Sequence, residues 1–210
     1  MIHNSLFLYD SKMREVYGSV LCGVDEAGRG PLAGPVVVAA VILPDGFIID
    51  NLNDSKKMTE HSRELAFESI IENALDYSIV FVDNNTIDEV NILNATLLGM
   101  RNAIGNLKIK LDVVLIDGNS APDDIDNLKM IVKGDALSAS IAAASVLAKV
   151  SRDRYMIDIS TVYPDYGFEK HKGYATKAHY EAINKYGLIG IHRRSFFVKD
   201  NRYFNRNSLK

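Results

Sequence analysis

The apolar residues of this chain fall into short runs separated by polar stretches with helical spacing, the alternation of an α/β domain. Residues 19–25 and 35–43 are β-rich runs, the second reading Pro35-Val36-Val37-Val38-Ala39-Ala40-Val41-Ile42-Leu43. A glycine-rich turn joins them, and so short a connection suits antiparallel neighbours. Thr59 is placed to cap a helix through about Asn73, with Glu60 and Arg63 outward and Leu65, Ile70 and Ile71 inward. Residues 77–82 supply a third strand. A second helix is expected from Thr86 or Asp88 to about Gly105, where Ile92, Leu93, Thr96, Leu97 and Met100 form one apolar stripe that reads as core. Two further strands end at Asp117-Gly118-Asn119 and at Lys133-Gly134-Asp135. Residues 137–160 then form a long helix whose first half, rich in Ala and Ser, is slim enough to lie close against a sheet.

The acids that interrupt this pattern carry the chemistry. Asp25 and Glu26 follow the buried-looking run Val20-Leu21-Cys22-Gly23-Val24, where an ionised carboxylate is tolerated only beside a counter-charge or a metal. Asp117 and Asp135 also stand at or just beyond strand ends, where open α/β sheets place their sites. Taken singly, Asp117 equally suits a turn and Asp135 a helix N-terminal charge. Successive strand side chains point to opposite faces, so Asp25 and Glu26 share one site only if the strand bends or Glu26 reaches around. Carboxylates gathered without His or Cys select hard cations such as Mg²⁺. Four of them could hold two ions about 3.5–4 Å apart, positioned for an in-line phosphoryl displacement.

With 210 residues the chain fits one ordinary domain with a full core, and its single Cys22 reads as a small buried hydrophobe. No apolar stretch approaches the roughly 18 residues of a membrane span, and the first 20 residues lack a signal-peptide core, so a cytoplasmic location is expected; a monomer is expected as well. The net charge is −3, yet from Lys149 onward 13 Lys and Arg face 6 Asp and Glu. That asymmetry suits a polyanion partner and, as readily, a solvated basic surface. Within this half, Tyr163–Thr176 interleaves cations with aromatic rings, as phosphate contacts plus a stacked sugar or base would require, although loop packing uses the same rings. His192-Arg193-Arg194 forms a second cationic cluster, and the tail from Lys199 to Lys210 suits binding or a frayed terminus equally. Gly28-Arg29-Gly30 lacks the features of a P-loop or a dinucleotide fingerprint. Its amides can still donate to sugar hydroxyls or phosphates, and Arg29 adds a planar phosphate-binding fork.

Together these motifs resemble the bacterial ribonuclease HII family over about residues 17–198. The likeness is carried by Gly-Val-Asp-Glu-Ala-Gly-Arg-Gly-Pro-Leu-Ala-Gly-Pro at 23–35, Asp-Ser-Lys-Lys at 54–57 and Ile-Asp-Gly-Asn at 116–119. Lys-Gly-Asp at 133–135, Ala-Ala-Ala-Ser-Val-Leu-Ala-Lys-Val-Ser-Arg-Asp at 142–153 and Tyr-Gly-Phe-Glu-Lys-His-Lys-Gly-Tyr at 166–174 complete it. The resemblance implies one RNase H-like catalytic domain over 1–210: a five-stranded mixed sheet flanked by helices, a small helical C-terminal portion, a variable N-terminal stub and a tail. It implies an endonuclease that cuts the RNA strand of RNA/DNA hybrids and nicks duplex DNA 5′ of embedded ribonucleotides, leaving 3′-hydroxyl and 5′-phosphate ends. Asp25, Glu26, Asp117 and Asp135 would be its catalytic acids, holding Mg²⁺ or Mn²⁺. Gly28, Arg29 and Gly30 would read the 2′-hydroxyl, Tyr174 would pack on the adjacent deoxyribose, and Lys56, Lys57, Lys170 and Lys172 would sit near phosphates. Two rival readings are a non-catalytic RNA/DNA-hybrid-binding module and a Mg²⁺-dependent small-molecule phosphotransferase.

Overall fold

A computed structural model of the chain describes residues 2–50, 52–53, 55 and 57–197. Five strands form one mixed sheet: β1 (Leu21–Ala27), β2 (Val36–Ile42), β3 (Asp76–Val82), β4 (Val113–Asp117) and β5 (Leu128–Ile131), in the order β3-β2-β1-β4-β5. As the short connection requires, β1 and β2 are antiparallel, with Val24 opposite Ala40, and β2 and β3 pair in the same way. β1 and β4 are parallel, as are β4 and β5, so the carboxyl ends of three neighbouring strands lie along one edge.

Helices cover both faces of this sheet, which is why β2 reads as an unbroken apolar run and is wholly buried. On one face Val37, Ala39 and Val41 pack with residues of α1 (Ile2–Tyr17), α2 (Glu60–Asn73) and α4 (Ala139–Val162). On the other, Cys22, Val24, Val38, Ala40 and Ile42 pack with Met100 and Ala103 of α3 (Asn84–Gly105). Burial pushes the Cys22 thiol up to about 12, which fits an inert core side chain.

Several local expectations need correction. Thr59 does cap α2, accepting from Ser62 N, but Leu65 is 60% exposed; Ala66, Phe67 and Ile70 face inward, and Arg63 turns back onto the carbonyls of Ser55 and Met58. α3 begins earlier than expected because Asp83 caps it, and it breaks at Asn91 (φ 68°), whose side chain caps the second half by accepting from Leu93 N and Asn94 N. The stub before Tyr17 is a helix with Leu6 in the core and Asp10 accepting from Ser140 N at 2.8 Å.

α4 lies on β1 at the limit of approach. A Cβ on Gly23 would fall 2.1 Å from the Ser140 carbonyl carbon, so glycine here is a packing requirement. We expect Gly23→Ala to cost about 3 kcal/mol, lowering the melting temperature by roughly 6–12 °C. Thermal unfolding followed by circular dichroism checks this, and an unchanged midpoint would contradict so tight a contact.

Beyond α4 the chain forms α5 (Phe168–His171), α6 (Lys177–Tyr186) and α7 (Arg194–Phe197), the small helical portion. These surround a separate cluster that includes Leu32, Met156, Tyr166, Phe168, Ile183 and Phe197. Through Leu32 and Ala33 the cluster anchors the turn between β1 and β2 beside the sheet's carboxyl edge.

Candidate active site

The side-chain alternation of the parallel strands decides which acids meet. Leu21 of β1 and Val113 and Leu115 of β4 pack against Ile141 of α4, so two and four residues further on Asp25 and Asp117 share that face. Asp135 joins them from the 3-10 turn Gly134–Ala136, which leads into α4. Carboxylate oxygens of Asp25, Asp117 and Asp135 lie within 4.8 Å of one another.

Asp25 and Asp135 are buried, at 5% and 7% exposure. Asp25 accepts from Glu26 N at 2.7 Å, and Asp117 accepts from Gly134 N at 2.6 Å, a bond that ties the β4 acid to the loop carrying Asp135. Burial first, and then repulsion from Glu26 and Asp117, push the Asp25 carboxyl well above the usual carboxylate range, despite the Ser145 and Glu26 hydrogen bonds that favour its charged form. A buried, mutually repelling, oxygen-only set is the donor chemistry a hard divalent cation satisfies.

Glu26 obeys the same alternation and faces the other way. Its carboxylate pairs with Arg29 at 3.3 Å and lines a small cleft of about 100 Å³ with Asp117 and, from α3, Leu93, Thr96, Leu97 and Met100. Part of the stripe expected as core therefore borders the site. Asp117 belongs to the triad and also lines this cleft, so it links Asp25 and Asp135 to Glu26.

A larger cleft, of about 480 Å³, brings Gly28, Arg29 and Gly30 beside Tyr174, with Glu26, Ala27, Ser55, Ser145 and Lys149 completing its walls. Tyr174 is 41% exposed, and a Cβ on Gly30 would lie 4.0 Å from its ring. The other aromatics of this segment are packing: Tyr166 and Phe168 are buried and stacked, with ring centroids 5.4 Å apart. Among the described residues the lysine on this cleft is Lys149, which pairs with Asp153 at 2.8 Å; Lys57, Lys170 and Lys172 do not line it. Lys57 and Lys170 are exposed, and the Lys172 ammonium folds back to donate to the Glu169 carbonyl. Lys56 and Asp54 lie outside the described residues, as does the tail from 198 onward.

The cationic cluster at 192–194 is a different object from the expected surface. Arg193 is fully buried and donates to the carbonyls of Gly34 (2.9 Å), Arg29 (3.0 Å), Pro31 (2.9 Å) and Gly28 (2.6 Å). Arg152 of α4, also buried, holds the same loop through Pro35 and Ala33 and reaches Lys172 O. With the carbonyls of Gly28 and Arg29 turned onto Arg193 across trans peptides, the N–H groups of Arg29 and Gly30 face away from that guanidinium. Both arginines were missed as structural residues because a sequence shows their charge and not the carbonyls that gather round it.

Three histidines also cluster beneath Tyr174. His179 and His192 are buried with Nε2 atoms 3.1 Å apart, and the rings of His171 and His179 stack at 4.6 Å. Burial pushes both His179 and His192 down to about 4. A base depressed by folding binds protons better in the unfolded chain, so stability is lost as pH falls through the window from about 6.5 to about 4. Urea unfolding across that window should show a falling midpoint, and a flat profile would rule out the neutral pair.

A mixed five-stranded sheet with three carboxylates at the carboxyl edge of its inner strands, beside a cleft walled by a glycine-rich turn and a tyrosine, defines a nuclease of the RNase H-like fold. Within that class the chain belongs to the ribonuclease HII family, whose model, described as Ribonuclease HII, matches residues 22–199. It is accordingly an endoribonuclease of RNA/DNA hybrids. Ribonuclease HII of Caldicellulosiruptor bescii is 58% identical over 176 residues, 84% of this chain and 85% of that protein. The crystal structure of ribonuclease H2 from Pyrococcus horikoshii OT3 superposes with a TM-score of 0.71 at 27% identity, covering 83% of this chain and 92% of that one. Bst-RNase HIII, solved in complex with Mn²⁺, shares the fold at a TM-score of 0.61 and 18% identity, over 82% of this chain and 65% of that one. Among the described residues no helix is long and apolar enough to cross a membrane.

Proposed function

We propose that this chain, acting as a single catalytic domain, nicks duplex DNA on the 5′ side of an embedded ribonucleotide as well as cutting longer RNA/DNA hybrids. The observation that carries this reading is the juxtaposition of the carboxylate triad with a cleft where the Gly28-Arg29-Gly30 turn faces Tyr174. A ribose differs from a deoxyribose by one hydroxyl that both donates and accepts, and outward-turned backbone N–H groups are suited to meet it. The Tyr174 ring supplies an apolar face for the neighbouring deoxyribose. Asp25, Asp117 and Asp135 would hold the divalent cation, Mg²⁺ or Mn²⁺, with Glu26 adding a carboxylate from the small cleft it lines with Asp117 to complete a two-ion site. Such ions lower the pKa of water and stabilise charge on the attacking and leaving oxygens. The chain's own residues bind and orient: the acids fix the ions against the sheet edge, and the cleft sets which phosphate reaches them. Among the described residues Lys149 and Arg29 are the cations that line that cleft, and Lys57, Lys170 and Lys172 would meet phosphates along the strand path rather than at the cut site, while Lys56 is assigned to a phosphate on the sequence resemblance alone.

A 5′-labelled DNA-RNA-DNA duplex with one ribonucleotide tests this in Mg²⁺ and then Mn²⁺. The labelled product should end at the deoxynucleotide before the ribose and carry a 3′-hydroxyl; a 2′,3′-cyclic phosphate would overturn the reading. Tyr174→Ala should lower cleavage of that duplex about tenfold, the scale of one lost stacking contact, while Mn²⁺ affinity holds. Equal losses in both would refute a recognition role for the ring.

A further inference from the structure

The carbonyl of Tyr174 ends a buried hydrogen-bond chain that phosphate chemistry does not use. His179 Nδ1 lies 3.0 Å from Tyr174 O, His179 Nε2 lies 3.1 Å from His192 Nε2, and Ile189 N–H donates to His192 Nδ1 at 3.0 Å. A carbonyl only accepts, so His179 carries its proton on Nδ1 and, as a neutral imidazole, offers a lone pair on Nε2. The contact between the two rings is then a hydrogen bond only if His192 is protonated on Nε2. That leaves His192 Nδ1 as the acceptor its Ile189 partner requires, with the Ile189 carbonyl a looser neighbour at 3.3 Å. Both ends of the chain demand the same polarity, and one pair of tautomers satisfies every group.

The residue after His192 is Arg193, the clamp on the carbonyls of Gly28 and Arg29. One dipeptide therefore grips both walls of the cleft: the turn directly, and Tyr174 through His179. Leu32 N–H donates to Gly173 O at 2.8 Å, and a bridge pairs Ala33 with His192, so the two walls are also stitched at their bases. At Gly173 (φ +81°) a Cβ would come within 2.7 Å of Ala33 O, so the backbone next to Tyr174 has no slack on that side.

We propose that His179 and His192 are positioning residues for ribonucleotide recognition, setting the spacing between the Tyr174 ring and the Gly28-Arg29-Gly30 turn. This rests on the recognition role of Tyr174 proposed above. A long hybrid presents no deoxyribose beside the cut ribose, so a displaced Tyr174 should cost more on a duplex with one ribonucleotide than on the hybrid. The readout is the ratio of kcat/KM on those two substrates, with Mn²⁺ affinity and melting temperature measured alongside.

Amide side chains separate the role of each nitrogen. Asn can place an N–H near the imidazole Nδ1 position and Gln near Nε2. At position 179, His179→Asn keeps the donor to Tyr174 O and should hold the ratio within about threefold, whereas His179→Gln should lower it about tenfold. At position 192 the order reverses: His192→Gln keeps the donor to His179 and should hold the ratio, whereas His192→Asn cuts the inter-ring bond that His179→Asn also cuts and should lower the ratio by the same amount, about threefold. General destabilisation predicts no such reversal, so the second pair decides the matter if one variant folds poorly. Asn and Gln behaving alike at both positions, or losses in proportion on both substrates, would overturn the inference. Tyr174→Ala serves as the control. If it leaves the ratio unchanged, the role of Tyr174 fails and the inference with it; if it lowers the ratio while His179→Gln does not, the inference alone fails.

Discussion

Asp25→Asn is expected to abolish cleavage in Mg²⁺, by a factor on the order of 10³ or more, while making the metal-free protein more stable. The two signs come from one cause. The Asp25 carboxyl is buried beside Asp117 and Asp135 and near Glu26, and its pKa stands well above the ordinary carboxylate range because burial and like charges oppose its ionised form. Asn keeps the shape and an acceptor for Glu26 N, and it removes the repulsion. The metal-free melting temperature should rise by about 3 °C or more. Added Mg²⁺ should stabilise the parent chain through mass action and the variant much less, which reverses the order of the two proteins.

Glu26→Gln makes the contrasting case. Its carboxylate lies across β1 from the triad, and the relief of its repulsion of Asp25 is offset by the loss of its own pairing with Arg29 at 3.3 Å. Activity should fall with no gain in metal-free stability. Calorimetry with and without Mg²⁺, set beside cleavage of a duplex with one ribonucleotide, reads both quantities. Near-native cleavage by Asp25→Asn would remove the triad from the reaction, and a lower metal-free melting temperature would show that the carboxylates are not in mutual strain.

How much of this was legible in the sequence follows from what each element depends on. β1, β2 and β4 stand out as continuous apolar runs because both faces of the sheet are covered, and their terminal acids stand out for the same reason. The alternation of strand side chains already separated Asp25 from Glu26, and the structure realises that separation. α1 was missed because its inward residues, Leu6, Tyr9, Asp10 and Met13, include an acid and an aromatic that dilute a helical stripe. Leu65 was misplaced because α2 is turned by Phe67 and Ile70, a choice made by the partner surface rather than by the helix. The basic half was legible as charge but not as geometry. Of His192-Arg193-Arg194, two residues are buried, and the tyrosines of 163–174 divide between packing and the cleft.

Arg193 gives the largest structural effect and tests that correction directly. A guanidinium presents five N–H donors in a planar fork, and Arg193 spends them on four carbonyls of the 28–34 loop, a spread that a three-donor ammonium on a flexible stem cannot match. Arg193→Met leaves those carbonyls without their buried donor and should cost on the order of 3–5 kcal/mol. Arg193→Lys should fold more stably than the Met variant yet still lose cleavage of a duplex with one ribonucleotide, because the turn amides are no longer held outward. Salt dependence separates this role from phosphate binding. A lost phosphate contact lowers the slope of log affinity against log salt by about one, measured on a hybrid in Ca²⁺ to prevent turnover. A buried clamp should leave that slope unchanged while the melting temperature falls. A reduced slope with an unaltered melting temperature would return Arg193 to the nucleic-acid surface.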